Sequence, residues 1–149
     1  MEGPLERVVI DANIAVALAV ELPCSSAARA MIAAWQAAQS GIYVPLLWEY
    51  EVASALRKAV HAGPLTSDEA ERSLAILLQM NLERVEPDLA LHQAALRWAE
   101  RIGQIVAYDA QYLALAERLG AAFWTADRRL AERAHECGAN WVRLITSDA

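Results

Sequence analysis

At 149 residues, 56% of them hydrophobic and 21% charged, the chain can bury a core without disulfide or metal staples and is too apolar to be disordered. A formal net charge of −6 excludes a general nucleic-acid coat protein, which needs a basic face. It still leaves room for an enzyme whose carboxylates gather at one metal site. Lys58 is the only lysine. That removes a P-loop, and it removes phosphoaspartate chemistry that relies on a lysine late in the chain.

The opening Met1-Glu2-Gly3-Pro4-Leu5-Glu6-Arg7 lacks the basic start and long apolar stretch of a signal peptide. Charges or amides break every long apolar stretch, so a soluble, cytoplasmic protein with no membrane span is expected. Cys24 and Cys137 have no CxxC partner and are expected to be free thiols.

Val8-Val9-Ile10 is a β-branched run ending in Asp11, and predicts a buried strand. Asn13 to Val20 predicts a helix stopped near Pro23. Ser25 or Ser26 is expected to cap a second helix that runs to about Gln39 and is ended by Gly41. Ile42-Tyr43-Val44 follows as a strand, then a helix over Leu47 to His61, closed by Gly63-Pro64. Thr66 with Glu69 spells a capping box opening a helix to about Met80. Glu83 to Glu86 is a weak strand, and Leu89 to Arg101 a helix with Gly103 as its terminator. Asp109 opens a helix ending at Gly120. Ala121 to Thr125 is a strand, Asp127 to Glu136 a helix stopped by Gly138, and Trp141 to Ile145 the last strand.

Short strands that are apolar on both faces, alternating with helices, specify a parallel sheet covered on both sides. The expected fold is therefore α/β, a three-layer α/β/α sandwich around a mostly parallel sheet of about five strands. No linker, repeat or low-complexity tract divides the chain, so residues 1–149 are expected to form one domain.

In such sheets, sites form beyond the carboxyl ends of strands, where the strand order reverses. Asp11 follows the first strand, Asp127 follows the fourth, and Asp109 begins a helix. Asp109 and Asp127 also fit as plain helix caps. Asp11 does not: it ends a strand that should be buried, where an unpaired charge costs on the order of several kcal/mol. A metal ion is one of the few partners that stabilises several such carboxylates together, and without one their repulsion raises their pKa values.

The string Val9-Ile10-Asp11-Ala12-Asn13 resembles the opening motif of PIN domains. Tyr108 to Ala116 and Phe123 to Leu130 resemble the two acidic motifs of the VapC-type toxins in that family. Val44 to Leu56 resembles its helix carrying a second acid. The likeness runs from about Val8 to Leu144, with four motifs in order. Glu49 and Glu51 point away from each other on that helix, with the stripe Trp48, Val52, Ala55, Leu56 and Ala59 between them, so periodicity does not choose. The family pattern aligns with Glu51 and leaves Glu49 at the rim.

The resemblance implies a metal-dependent endoribonuclease, the toxin of a type II toxin–antitoxin pair. Asp11, Glu51, Asp109 and Asp127 would be its catalytic and metal-holding acids, with Asp11 and Asp109 as direct ligands. It implies one or two Mg²⁺ or Mn²⁺ ions and attack of water in line on the RNA phosphate, and the absence of a His or Cys cluster argues against zinc. It also implies an antitoxin whose tail blocks the acidic pocket, and a homodimer. Asn13 and Thr125 are polar neighbours that either hold a carboxylate or water or act as caps. His61, His92 and His135 lie away from the acidic motifs. Arg128 and Arg129 fit an exposed helix face or a grip on RNA phosphates, and the five Trp residues fit packing positions.

The main alternative is a non-catalytic PIN-like module that binds RNA or protein, which the full set of acids disfavours. A phosphatase with an Asp11 nucleophile would want an acid where Asn13 stands. A flap nuclease would need inserts for which the chain has no room.

Overall fold

The structure is a computed structural model that describes residues 6–146. The start of the chain, on which the reading of Met1 to Leu5 rests, lies outside the described residues. The elements run β1 (Arg7–Ile10), α1 (Ala12–Val16), α2 (Ser25–Ala37), β2 (Gly41–Pro45), α3 (Leu47–Ala62) and α4 (Ser67–Leu78). Then come β3 (Glu83–Val85), α5 (Leu89–Arg101), α6 (Tyr108–Leu119), β4 (Ala122–Thr125), α7 (Arg128–Glu136) and β5 (Val142–Leu144).

All four strand pairings are parallel, in the order β3-β2-β1-β4-β5. The expected α/β sandwich is what forms. β1 occupies the centre, with Val9 opposite Tyr43 on one side and Phe123 on the other. Its Val8, Val9 and Ile10 are fully buried, which is why the run carries no polar alternation. The connections from β1 to β2 and from β2 to β3 carry α1 to α4, where α1 packs on α3 and α3 on α4. The return from β3 to β4 carries α5 and α6, with α6 against β1, β2 and β4. The strand order therefore reverses between β1 and β4.

Local departures from the sequence expectations have identifiable causes. The first helix is shorter than the Asn13 to Val20 span. It starts at Ala12 and gives way after Val16 to tight turns, Leu18 N–H to Ala15 O and Ala19 N–H to Val16 O. Ser25 does not cap α2, nor does Ser26; the N-cap is Cys24, without a side-chain bond. The Ser25 hydroxyl is buried and instead donates its one proton to Ala17 O at 2.7 Å, with Val20 O a longer second acceptor at 3.2 Å, while accepting Leu22 N–H, tying the end of the first turn region to α2. Gly41 does not end α2 either. Gln39 takes the left-handed conformation there (φ 56°), and Gly41 opens β2 against Arg7. The Thr66–Glu69 capping box forms in both directions. Gly63 and Gly120 close α3 and α6 at φ 109° and 62°, where a side chain would be strained.

Cys24 and Cys137 are free. Trp35, Trp48 and Trp98 are buried, and Trp124 and Trp141 pack against the core. Among the described residues no helix is long and apolar enough to cross a membrane.

Candidate active site

The crevice at the β1/β4 reversal opens into a cavity of about 500 Å³ lined by Asp11, Asn13, Glu51, Asp109 and Asp127, together with Tyr50, Ser54, Lys58 and Tyr108. Four acids from four separate stretches of chain thus face one space. Asp11 sits where β1 runs into α1. It occupies the N-cap position but makes no capping bond, so its carboxylate is left to the cavity. Glu51 enters from α3, Asp109 from the first turn of α6, and Asp127 from the N-cap of α7.

Each carboxylate is held by a neighbour through one named oxygen. Thr125, at the end of β4 and fully buried, donates its hydroxyl to Asp11 Oδ2 at 2.8 Å. The same Oγ1 accepts the Asp127 N–H at 3.0 Å, so one hydroxyl connects the Asp11 carboxylate to the Asp127 backbone. Tyr112 Oη donates to Glu51 Oε1 at 2.6 Å, and its ring stacks on Phe123 of β4 at 5.5 Å. Gln104 Nε2 donates to Asp109 Oδ2 at 2.8 Å. Asp127 Oδ1 accepts the Leu130 N–H at 3.1 Å, so this acid both caps α7 and lines the cavity. Asp109, by contrast, caps nothing: the N-cap of α6 is Ala107.

Burial and like charge oppose ionisation here. Desolvation is the main force raising the Asp11 carboxyl from 3.8 to about 7. The Thr125 bond pulls back, and the Glu51 and Asp109 charges push further up. Glu51 is also raised, first by desolvation, with the Tyr112 bond lowering it, Asp109 raising it and Lys58 lowering it. The Tyr112 phenol is driven up by burial and then by Asp11 and Glu51, so it stays a donor. Among the described residues no three His, Cys, Asp or Glu side chains stand as a preformed metal-binding group. Each acid leans instead on its own neutral donor.

Of the two glutamates, only Glu51 reaches the cavity. Glu49 turns outward and pairs with Arg84 of β3, whose guanidinium also reaches Leu78 O. Asn13 is exposed at the rim, while Thr125 lies beneath the acids. Arg128 and Arg129 are exposed and do not line the acid cavity; Arg129 borders the adjoining depression shared with Asp127, Gln104 and Arg133. The histidines stand elsewhere: His92 meets Gln111, and His135 meets Val142 O.

Sequence reasoning passed over Gln104, Tyr112 and Lys58. Tyr112 had a usable signal, since it lies three residues after Asp109 on one helix face. Lys58 had another, two turns beyond Glu51 on α3. Gln104 lies in a loop, where no periodicity marks it.

The family described as PIN domain matches residues 8–136. Ribonuclease VapC9 of Mycobacterium tuberculosis is 34% identical over 125 residues, 84% of this chain and 89% of its own length. Ribonuclease VapC3 of Pyrobaculum aerophilum is 34% identical over 128 residues, 85% of this chain and 94% of its own. A crystal structure from Pyrobaculum aerophilum superposes with a TM-score of 0.63 at 29% identity, covering 87% of this chain and 79% of that one. A chain of a toxin–antitoxin complex from Klebsiella pneumoniae has the same fold at 15% identity, with a TM-score of 0.67 and coverage of 95% and 99%. The chain belongs to the PIN-domain family and, within it, to the VapC ribonucleases.

Proposed function

We propose that the chain is a metal-dependent endoribonuclease that hydrolyses RNA phosphodiester bonds, with one or two Mg²⁺ or Mn²⁺ ions held by Asp11, Glu51, Asp109 and Asp127. The observation that carries this reading is the convergence of the four acids on one open cavity at the strand-order reversal. The donor set fits a hard divalent cation, being made of carboxylate oxygens with no His or Cys among the lining residues. The raised Asp11 and Glu51 carboxyls fit it too, because a cation offsets the repulsion and desolvation that push them up. Such an ion, when bound, supplies charge stabilisation at phosphate oxygens and a more acidic water.

The chain's own residues divide the remaining work. Asp11 and Asp109 are the direct ligands, fixed in orientation by Thr125 and Gln104. Glu51, oriented by Tyr112, and Asp127, pinned as the α7 cap, complete or orient the site. Asn13 is placed at the rim to hold water or a carboxylate. The relatives' names and the Klebsiella pneumoniae complex support a toxin paired with a cognate antitoxin; action in the cytoplasm and assembly as a homodimer are part of the same proposal. The test is RNA cleavage with Mg²⁺ or Mn²⁺, with and without chelator, comparing wild type with Asp11→Asn and Asp109→Asn. Loss of cleavage in both variants and in chelator is expected; activity that survives all three overturns the reading.

A further inference from the structure

The acid cavity has an aromatic rim that carboxylate chemistry leaves unexplained. Two of the acids are each preceded by a tyrosine: Tyr50 before Glu51 on α3, and Tyr108 before Asp109 at the start of α6. Successive helical residues point in different directions, so an inward-turned acid leaves its tyrosine at the edge. Both tyrosines line the same cavity as the acids, yet Tyr50 is 73% exposed and Tyr108 59% exposed. Lys58, two turns beyond Glu51 on α3, is the one cationic side chain among the lining residues.

An RNA strand approaching this cavity meets four carboxylates on a protein of net charge −6. Among the residues lining the cavity only Lys58 attracts phosphate, with Arg129 and Arg133 set back in the adjoining depression, so a contact that does not depend on charge adds most at the cavity mouth. Stacking of a base on an exposed aromatic ring is such a contact, and every base has a face to offer. We propose that Tyr50 and Tyr108 are the nucleotide-positioning residues of the site: a base beside the scissile phosphate lies on these rings while Lys58 takes a neighbouring phosphate oxygen. This rests on the ribonuclease reading and adds to it the residues that seat the substrate. Coverage of the same rings by a second copy of the chain is the competing occupant.

The test uses a single-stranded RNA oligonucleotide carrying 2-aminopurine, whose fluorescence is quenched on stacking. Binding is read in Ca²⁺, and cleavage kinetics on the same oligonucleotide in Mg²⁺. Wild type should quench the probe. Tyr50→Ala and Tyr108→Ala should each lose quenching and raise KM roughly 10-fold, the equivalent of one lost stacking contact, with kcat little changed. Tyr50→Phe and Tyr108→Phe should behave as wild type, and Lys58→Met should raise KM and flatten its dependence on salt. Because both rings are exposed, the Ala variants should keep the wild-type circular dichroism and melting temperature. Unchanged quenching and KM in both Ala variants overturns the proposal while leaving the ribonuclease reading intact. The same holds if those variants keep quenching but shift the sedimentation of the protein, which would assign the rim to contact between copies. Tyrosine-dependent quenching without any cleavage would sink the ribonuclease reading alone, and a wild type that neither quenches nor cleaves overturns both.

Discussion

Asp11→Asn removes one ionisable group from the centre of the site and leaves the side chain's shape almost unchanged. In the folded protein the Asp11 carboxyl is raised from 3.8 to about 7, chiefly by burial. The folded state therefore holds this proton more tightly than the unfolded chain does. Stability falls as pH rises through the interval between those two values, and it is regained below it. Across that interval, the cost of ionising Asp11 in the metal-free fold amounts to about 4 kcal/mol. Asn at this position has no charge to bury, and its carbonyl can still accept from Thr125. In chelator, the variant should match wild type near pH 4 and exceed it at pH 8 by up to about 4 kcal/mol, a rise in Tm of roughly 10 °C. Urea denaturation of both proteins across that pH range measures the difference, and an RNA cleavage assay should show the variant inactive. A stability difference that does not change with pH would refute the argument, as would a variant less stable than wild type at pH 8.

Mg²⁺ should raise the melting temperature of wild type more at pH 8 than at pH 5, because protons compete for Asp11 and Glu51; equal shifts at both pH values, read by differential scanning fluorimetry, would contradict this. Glu51→Gln should cut cleavage on the order of 100-fold. Glu49→Gln should leave cleavage intact, losing only a partly exposed pair with Arg84 worth about 1 kcal/mol or less by chemical denaturation. Tyr112→Phe keeps the ring on Phe123 but deletes the donor to Glu51, which should cost about 1–2 kcal/mol. The bond it loses holds the Glu51 carboxyl down, so the acid limb of the pH–rate profile should move to higher pH.

The fold was legible wherever apolar periodicity and turn chemistry agree. The wholly apolar Val8-Val9-Ile10 run marks a central strand, and Thr66 with Glu69 marks a helix start that forms as written. Legibility failed where a long-range partner decided the local outcome. Ser25 has the chemistry of a cap, but carbonyls left over at Ala17 and Val20 claim its hydroxyl. The helix before β2 ends at Ala37 and the left-handed turn falls on Gln39, not on Gly41, because Gly41 is already paired with Arg7 in the sheet. At the site, Asp11, Asp109 and Asp127 could be placed from their positions at element junctions. The two glutamates could not, since Glu49 is claimed by Arg84, 35 residues away, and Glu51 by Tyr112, 61 residues away. Gln104 was unreadable for the same reason: its role depends on where Asp109 lies in space.

The Thr125 hydroxyl that joins Asp11 to the Asp127 backbone spans 114 positions of the chain. In a nascent polypeptide Asp11 emerges long before Thr125, and β1 gains its β4 neighbour only after Thr125 has left the ribosomal tunnel. Until then Asp11 lacks its donor, and Asp127 is not yet in place in the cavity wall. By the order of its strands, then, the four acids cannot come together until β4 and the start of α7 have been made.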